Sequence, residues 1–183
     1  METFKELGQE HRHIVRMLSI IEHTAKHLET GRPVPVEIIN EELDFLKGFA
    51  DDCHHGKEEG ILFPTVESRL DADQKESMNS LIQDHIEGRK LIAEARLDLE
   101  KNAEGDEGAA NELADNLNKY TSLLRAHIKK ENDFFSDTEP LITGEEAKKL
   151  DYHCREAEKE MQANEHFLEM LDRLEASQLQ IGG

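Results

Sequence analysis

The chain has no tryptophan, two tyrosines, four prolines and two cysteines among 183 residues. It is also short of positive charge, with 22 Lys and Arg against 41 Asp and Glu. Each shortage removes a class of protein. Few aromatic and β-branched residues argue against a sheet-rich fold. Cys53 and Cys154 make no disulfide framework, and nothing else suggests a secreted context. A formal net charge of −19 opposes binding to nucleic acid or to an anionic membrane, since both require a basic footprint. No stretch approaches the roughly 18 apolar residues of a membrane span. The opening METFKELGQEHRH lacks the apolar core of a signal peptide. The expectation is a soluble, cytoplasmic protein with no nucleic-acid or membrane partner.

What remains is a charged, helix-forming composition and ten histidines, many for a chain this size. The length suits one domain that buries roughly 70% of its unfolded surface. Breaks rich in Pro, Gly, Asp or Thr fall at GRPVP (31–35), RLDADQ (69–74), NAEGDEG (102–108) and TEPLITG (138–144). They predict five helices, near 3–30, 36–69, 73–102, 108–136 and 144–178. The predicted architecture is all-α, an up-down-up-down four-helix bundle with an additional C-terminal helix. Residues 1–178 form a single predicted domain, and 179–183 a tail.

Apolar residues at spacings of three and four trace the face each helix buries. The first predicted helix gives Phe4, Leu7, His11, Ile14, Leu18, Ile21, Ala25 and Leu28. The second gives Ile39, Leu43, Leu46, Ala50, His54, Glu58 and Ile61. The third gives Met78, Leu81, His85, Gly88, Ile92, Ala95 and Leu99. The fourth gives Leu113, Leu117, Tyr120, Leu124, His127, Glu131 and Phe134. A histidine interrupts every stripe, and on the second and fourth helices a glutamate follows four residues later.

A single histidine on an apolar face is ordinarily a hydrogen-bonded core residue. A buried, unpaired carboxylate is harder to accommodate, because it costs several kcal/mol or stays protonated. Two His-x-x-x-Glu pairs and two more histidines are satisfied together by metal. Six such ligands are too many for one tetrahedral zinc, yet few for two six-coordinate ions. Two ions sharing Glu58 and Glu131 as bridges would keep positions open for a small ligand. Imidazole suits iron, zinc, copper and nickel alike. Glu10-x-x-His13 matches the spacing of ferritin-like di-iron bundles, but it lies off its stripe and has no partner motif.

The second stripe contains CHHGKEEG (53–60), in which His54–Glu58 and His55–Glu59 both have ligand spacing. Only one of these pairs is expected to face inward, and the stripe selects His54 and Glu58. His55 and Glu59 are then outer neighbours or solvent-facing. Gly88, one turn from His85, is a candidate for making room for a diatomic ligand, and Tyr120 a candidate for lining that space. His13 is expected at the surface, His23, His27 and His153 lack a partner pattern, and His166 is a candidate for capping the bundle. Cys53, beside a ligand, is read as a packing residue, with a redox-sensitive thiol as the alternative.

EHRHI (10–14), FADDCHHGKEEGILFP (49–64), DHIEGR (84–89) and HIKKEND (127–133) resemble the hemerythrin-like, or HHE cation-binding, proteins. The resemblance runs through most of the chain. It implies a non-haem di-iron centre, oxo- or hydroxo-bridged, inside a four-helix bundle. Its ligands, carried over by position, fall on His11, His54, Glu58, His85, His127 and Glu131. Oxygen-carrying members have a second histidine one turn from the third-helix ligand, where this chain has Leu81 and Arg89. Their second bridging carboxylate lies five residues after its histidine, whereas Glu131 lies four after His127. Fewer histidines point away from reversible oxygen carriage. The chain is more similar to the branch linked to nitric oxide, peroxide, iron sensing and iron–sulfur repair. The implied function is binding or reduction of a small oxidant (O2, NO or H2O2), in stress response or iron homeostasis. The alternative is a non-catalytic iron- or oxygen-responsive sensor.

Overall fold

Phe4, Leu7, His11, Ile14, Leu18, Ile21, Ala25 and Leu28 are all buried along the first helix, α1 (Glu2–Glu29). Its end is set by Gly31, whose φ of 69° favours glycine. Gly31 N–H then reaches the Leu28 carbonyl and Arg32 N–H the His27 carbonyl, closing the last turn. Pro33 and Pro35 prevent continuation. The computed structural model describes residues 1–106, 108–161 and 164–181, without the side chains of 158, 160, 161, 164 and 179–181.

The second helix, α2, runs over 36–69 with a change of winding inside it. It starts as α-helix (Val36–Phe45), widens to π-helix at Leu46–His55 and again at Glu58–Leu62, and closes through Phe63–Val66 and Glu67–Arg69. The reason lies in a strict four-residue repeat: Glu42, Leu46, Ala50, His54, Glu58, Leu62 and Val66 are all 0–1% exposed. At 3.6 residues per turn such a row drifts about 40° with each step and would leave the core. Wider π turns cancel that drift and keep the row inward.

Asp71 caps α3 (Ala72–Ala103), exchanging hydrogen bonds with Gln74. Gly105, at φ 92°, ends it in the same way Gly31 ends α1. The fourth helix, α4 (Ala109–Thr138), returns along α3 and α1. Together α1 to α4 make the up-down-up-down bundle expected of the four stripes.

The predicted fifth helix is two helical segments in the described residues, α5 (Gly144–Met161) and α6 (Asn164–Ile181). Leu150 and Cys154 bury α5, while Met170, Leu171 and Leu174 bury α6. The tail expected from 179 is helical as far as Ile181, and 182–183 lie outside the described residues. Phe167 packs edge-on to Phe45 and Phe49 of α2, over Gly48, where an added Cβ would fall inside its ring. Glycine is therefore required at 48 for a close approach of α6 to the widened part of α2.

Two apolar clusters fill the bundle. One contains Phe4, Leu7, Leu62, Phe63, Met78, Leu81 and Phe134. The other begins at Ile14 on α1, extends to Ala50 on α2, and holds Leu91 onward on α3 and Leu113 to Ile128 on α4. The stripe histidines and glutamates lie between them, as a polar layer across all four helices. No helix among the described residues is long and apolar enough to cross a membrane.

Candidate metal centre

Seven buried side chains meet in that layer: His11 from α1, His54, His55 and Glu58 from α2, His85 from α3, and His127 and Glu131 from α4. They form two groups of four whose ligand atoms lie within 4.8 Å of one another. One is His11, His54, Glu58 and Glu131; the other is His55, Glu58, His85 and His127. Glu58 belongs to both. His11 Nε2 lies 3.0 Å from His54 Nε2 and 3.0 Å from Glu131 Oε2. Across the layer, His85 Nε2 is 3.2 Å from His127 Nε2 and 3.5 Å from Glu58 Oε2. Glu131 Oε2 also faces His127 Nε2 at 3.3 Å, so it touches a residue of each group.

His54 and His55 both face inward, at 1% and 4% exposure, so the expectation that only one of them does is overturned. At about 100° per residue, Glu58 falls between the directions of the two histidines. A single ion could be reached from one direction only, but a layer wide enough for two groups takes both. His55 stacks on His85, with ring centroids 3.9 Å apart and planes 15° from parallel. It therefore supplies the further histidine that α3 lacks. The layer holds five histidines, and the inference drawn from a low histidine count loses its basis. The inward residue at the end of the α2 row is Leu62, while Ile61 is half-buried.

Each histidine turns Nε2 to the centre and Nδ1 to an outer oxygen. His11 Nδ1 is 3.3 Å from Asn132 Oδ1, and His54 Nδ1 is 2.8 Å from Glu10 Oε2. His85 Nδ1 is 2.7 Å from Glu59 Oε1, and His127 Nδ1 is 3.3 Å from Asp84 Oδ2. His55 Nδ1 lies 3.7 Å from Asp51 Oδ1. An Nδ1–H donated outward leaves a lone pair on Nε2 aimed at the centre, the arrangement that metal-bound histidines require. The outer carboxylates are in turn held by cations: Lys57 on Glu10, Lys130 on Asp84, and Arg89 on both Asp51 and Glu59.

Of these outer residues, motif spacing singles out Glu59, and Glu10 only through the Glu10-x-x-His13 spacing, whereas Glu10 pairs with His54. Glu10 lies off the α1 stripe, yet it is 6% exposed beside His11. Asp51, Asp84 and Asn132 carry no signal except proximity: each lies one to five residues from a histidine or glutamate of the layer. Lys57, inside KEE, is 2% exposed, a burial that charge alone would not predict.

The electrostatics fit a divalent metal. Burial and the facing charge of Glu131 push Glu58 well above the usual carboxylate range. Burial also opposes ionisation of Glu131, but the facing Glu58, His11, His127 and His54 outweigh it and hold it well below that range. Burial lowers His55 to about 4 and His85 to about 3, and it lowers His11 against the pull of Glu131. His54 is raised, because Glu10 and Glu131 together outweigh its burial. Both Glu58 oxygens, Glu131 Oε1 and His55 Nε2 are buried with no hydrogen-bond partner. These orphaned atoms converge with the Nε2 atoms of the other four histidines, and together the five imidazoles and two carboxylates have the donor set and the spacing of metal ligands.

The remaining candidates fall outside the layer. Gly88 is buried one turn from His85, and an added Cβ would lie at ordinary contact distance, 3.5 Å, from Tyr120 Cε2. The Tyr120 ring thus bounds the space beside Gly88 and leaves room there for about one methyl. The Tyr120 hydroxyl is pushed up by burial and by the charge of Asp51. His13 is half-buried against the edge of Phe49. His23 pairs with Gln178, His27 is half-buried, and His153 and His166 are exposed. Cys53 is buried in the widened part of α2.

Neither the comparison with curated proteins nor that with solved structures gives a match. The family model described as the hemerythrin HHE cation-binding domain matches residues 3–136. That span covers α1 to α4 nearly end to end and contains every residue of the polar layer, while α5 and α6 lie beyond it. The chain belongs to the hemerythrin HHE cation-binding domain family.

Proposed function

We propose that the layer holds two iron ions and that the protein binds or reduces a small oxidant, O2, NO or H2O2, in the cytoplasm. The observation that carries this reading is the pair of four-residue groups that share Glu58. In it, His11 and His54 would hold one ion and His55, His85 and His127 the other, with Glu58 and Glu131 available to both. Iron supplies redox and Lewis-acid chemistry there. The chain's own part is to fix the ligands and exclude bulk water. Two apolar clusters close the layer above and below, and the outer carboxylates fix which histidine nitrogen faces in. Seven side chains leave six-coordinate ions with positions open to a diatomic ligand or peroxide.

A second reading, an iron- or oxygen-responsive sensor, is favoured by one contact. Phe167 of α6 seats on Gly48 within the widened part of α2, a turn and a half before His54. Metal loading that orders α2 would also order the seat of α6, a surface a partner could read.

Metal analysis and a visible spectrum of aerobically purified protein test the first reading. About two irons per chain with oxo-to-iron charge-transfer absorption are expected. Colourless protein that carries zinc or no metal as isolated overturns it. Turnover of H2O2, or a spectral change with NO lacking turnover, then separates catalyst from sensor.

A further inference from the structure

Arg89 stands on α3 one turn beyond His85, with its side chain 38% exposed. Its guanidinium makes a three-point contact. Nε donates to Asp51 Oδ1 at 2.7 Å, Nη2 to Glu59 Oε1 at 2.6 Å, and Nη1 lies 3.5 Å from Glu59 Oε2. These carboxylates are the outer partners of two histidines. Glu59 Oε1 accepts from His85 Nδ1, and Asp51 Oδ1 faces His55 Nδ1. His55 and His85 are the stacked pair, and both belong to the group completed by Glu58 and His127. Arg89 contacts nothing that holds His11 or His54: those rest on Asn132 and on Glu10, which pairs with Lys57.

We propose that Arg89 is a positioning residue for one of the two metal positions. By locking Asp51 to Glu59 it orients His55 and His85 together, so its loss weakens one bound metal and spares the other. The inference rests on the two-metal reading above. The guanidinium fork is planar and has fixed donor directions, so it sets the separation of the two carboxylates as well as neutralising them. An ammonium supplies the charge without that geometry. Without either, Lys47 still neutralises Asp51 at 3.2 Å, but nothing ties it to Glu59, and two imidazoles lose their common anchor at once. Removing an outer partner of a metal-bound histidine lowers affinity by roughly 10–100-fold.

A neighbour provides the control. Arg89 and Arg96 line the same cleft of about 510 Å³ between α2 and α3. Arg96 pairs with Asp44 at 2.7 Å and reaches no carboxylate of the site.

The experiment is an anaerobic titration of metal-free protein with Fe(II), reading the stoichiometry and affinity of each step. Wild type takes two equivalents. In Arg89→Met one step weakens about 10–100-fold and the other is unchanged. Arg89→Lys falls between, and Arg96→Met matches wild type. Double variants identify the position. His11→Ala keeps one metal and His11→Ala with Arg89→Met keeps none at the same concentration. His85→Ala keeps one metal whether or not Arg89 is changed. Helical circular dichroism of the metal-free variants checks folding. Glu59→Gln, which keeps an acceptor for His85 but breaks the Arg89 fork, weakens the same single step. Equal weakening of both steps, an unaffected Arg89→Met, or Arg96→Met behaving like Arg89→Met overturns the role of Arg89 while leaving the two-metal reading intact. Wild type that binds a single metal overturns both.

Discussion

Glu42 and Glu58 lie on the same inward row of α2, and each is 0% exposed. Around Glu58 stand the five imidazoles and Glu131, and it is common to both ligand groups. Glu42 has one polar partner, the Thr24 hydroxyl, which donates to Oε1 at 2.6 Å; its Oε2 has none. Ile39, Leu43, Phe45 and Leu46, its neighbours along the helix, all belong to the apolar cluster. Burial with so little compensation raises the Glu42 carboxyl to about 8, so it stays a neutral acid at most working pH values. A buried carboxylate on a helix stripe thus marks a metal site only where other helices bring nitrogen ligands to it.

The largest break in this comparison is loss of metal. Glu131→Ala, which touches both groups, should lose most bound iron in metal analysis and His54→Ala about one of the two ions, whereas Glu42→Gln should keep about two ions. His13→Ala, beside the layer but outside it, should also keep them.

Next in size is acid sensitivity of the metal-free protein. His55 and His85 sit at about 4 and about 3 when folded and near 6.5 when unfolded, so between these values the unfolded chain binds more protons. Their contribution is complete above about pH 6.5 and is lost as pH falls toward 4. His54, raised on folding, acts in the opposite sense and offsets part of this. Glu42 and Glu58, both raised, also act in the opposite sense across this window, so the imidazoles are read by difference. In urea unfolding, the stability of wild type relative to a His55→Gln, His85→Gln variant should fall by about 2–4 kcal/mol between pH 6.5 and 4.5, since each tenfold change in proton affinity corresponds to about 1.36 kcal/mol. A difference that stays flat would show that the imidazoles are not held neutral by burial.

Glu42 should show the reverse slope. Its raised carboxyl contributes stability that is complete below about 4.5 and lost as pH rises to about 8. Glu42→Gln should therefore unfold later than wild type at pH 8, by on the order of 1–3 kcal/mol, and equally at pH 4.5. Gly48, between the two glutamates, tests the seat of α6. Gly48→Ala should cost about 1–3 kcal/mol by displacing Phe167, with iron content unchanged. The smallest effect is expected at Gly88, where the Tyr120 ring leaves ordinary contact distance for one methyl. Gly88→Ala should stabilise by about 0.5–1 kcal/mol through helix propensity, again with unchanged iron.

The bundle was legible because each helix buries one face, and 3.6-residue periodicity reports that face directly. His11, His54, Glu58, His85, His127 and Glu131 stood out for the same reason: polar residues interrupting apolar stripes. His55 did not, since a wheel of fixed angle places it beside the stripe. The strict row from Glu42 to Val66 was the available signal, because a four-residue repeat that long cannot stay inward on an unwidened α-helix. Glu10, Asp51, Asp84 and Asn132 look like surface residues in one dimension. Their partners come from other helices or from the outer nitrogen of a ring, and no local pattern records either.

Composition and periodicity were enough for an all-α bundle with a polar layer of histidines and glutamates, because burial of a helix face is a local demand on every third or fourth residue. Packing of the helices settled the rest: two histidines from one motif enter the layer, Arg89 ties the outer carboxylates of two of them, and Glu42 is left without ligands nearby. Those outcomes depend on distances between residues 18 to 121 positions apart along the chain, as in Thr24–Glu42 and His11–Asn132. Only the approach of one helix to another sets such distances.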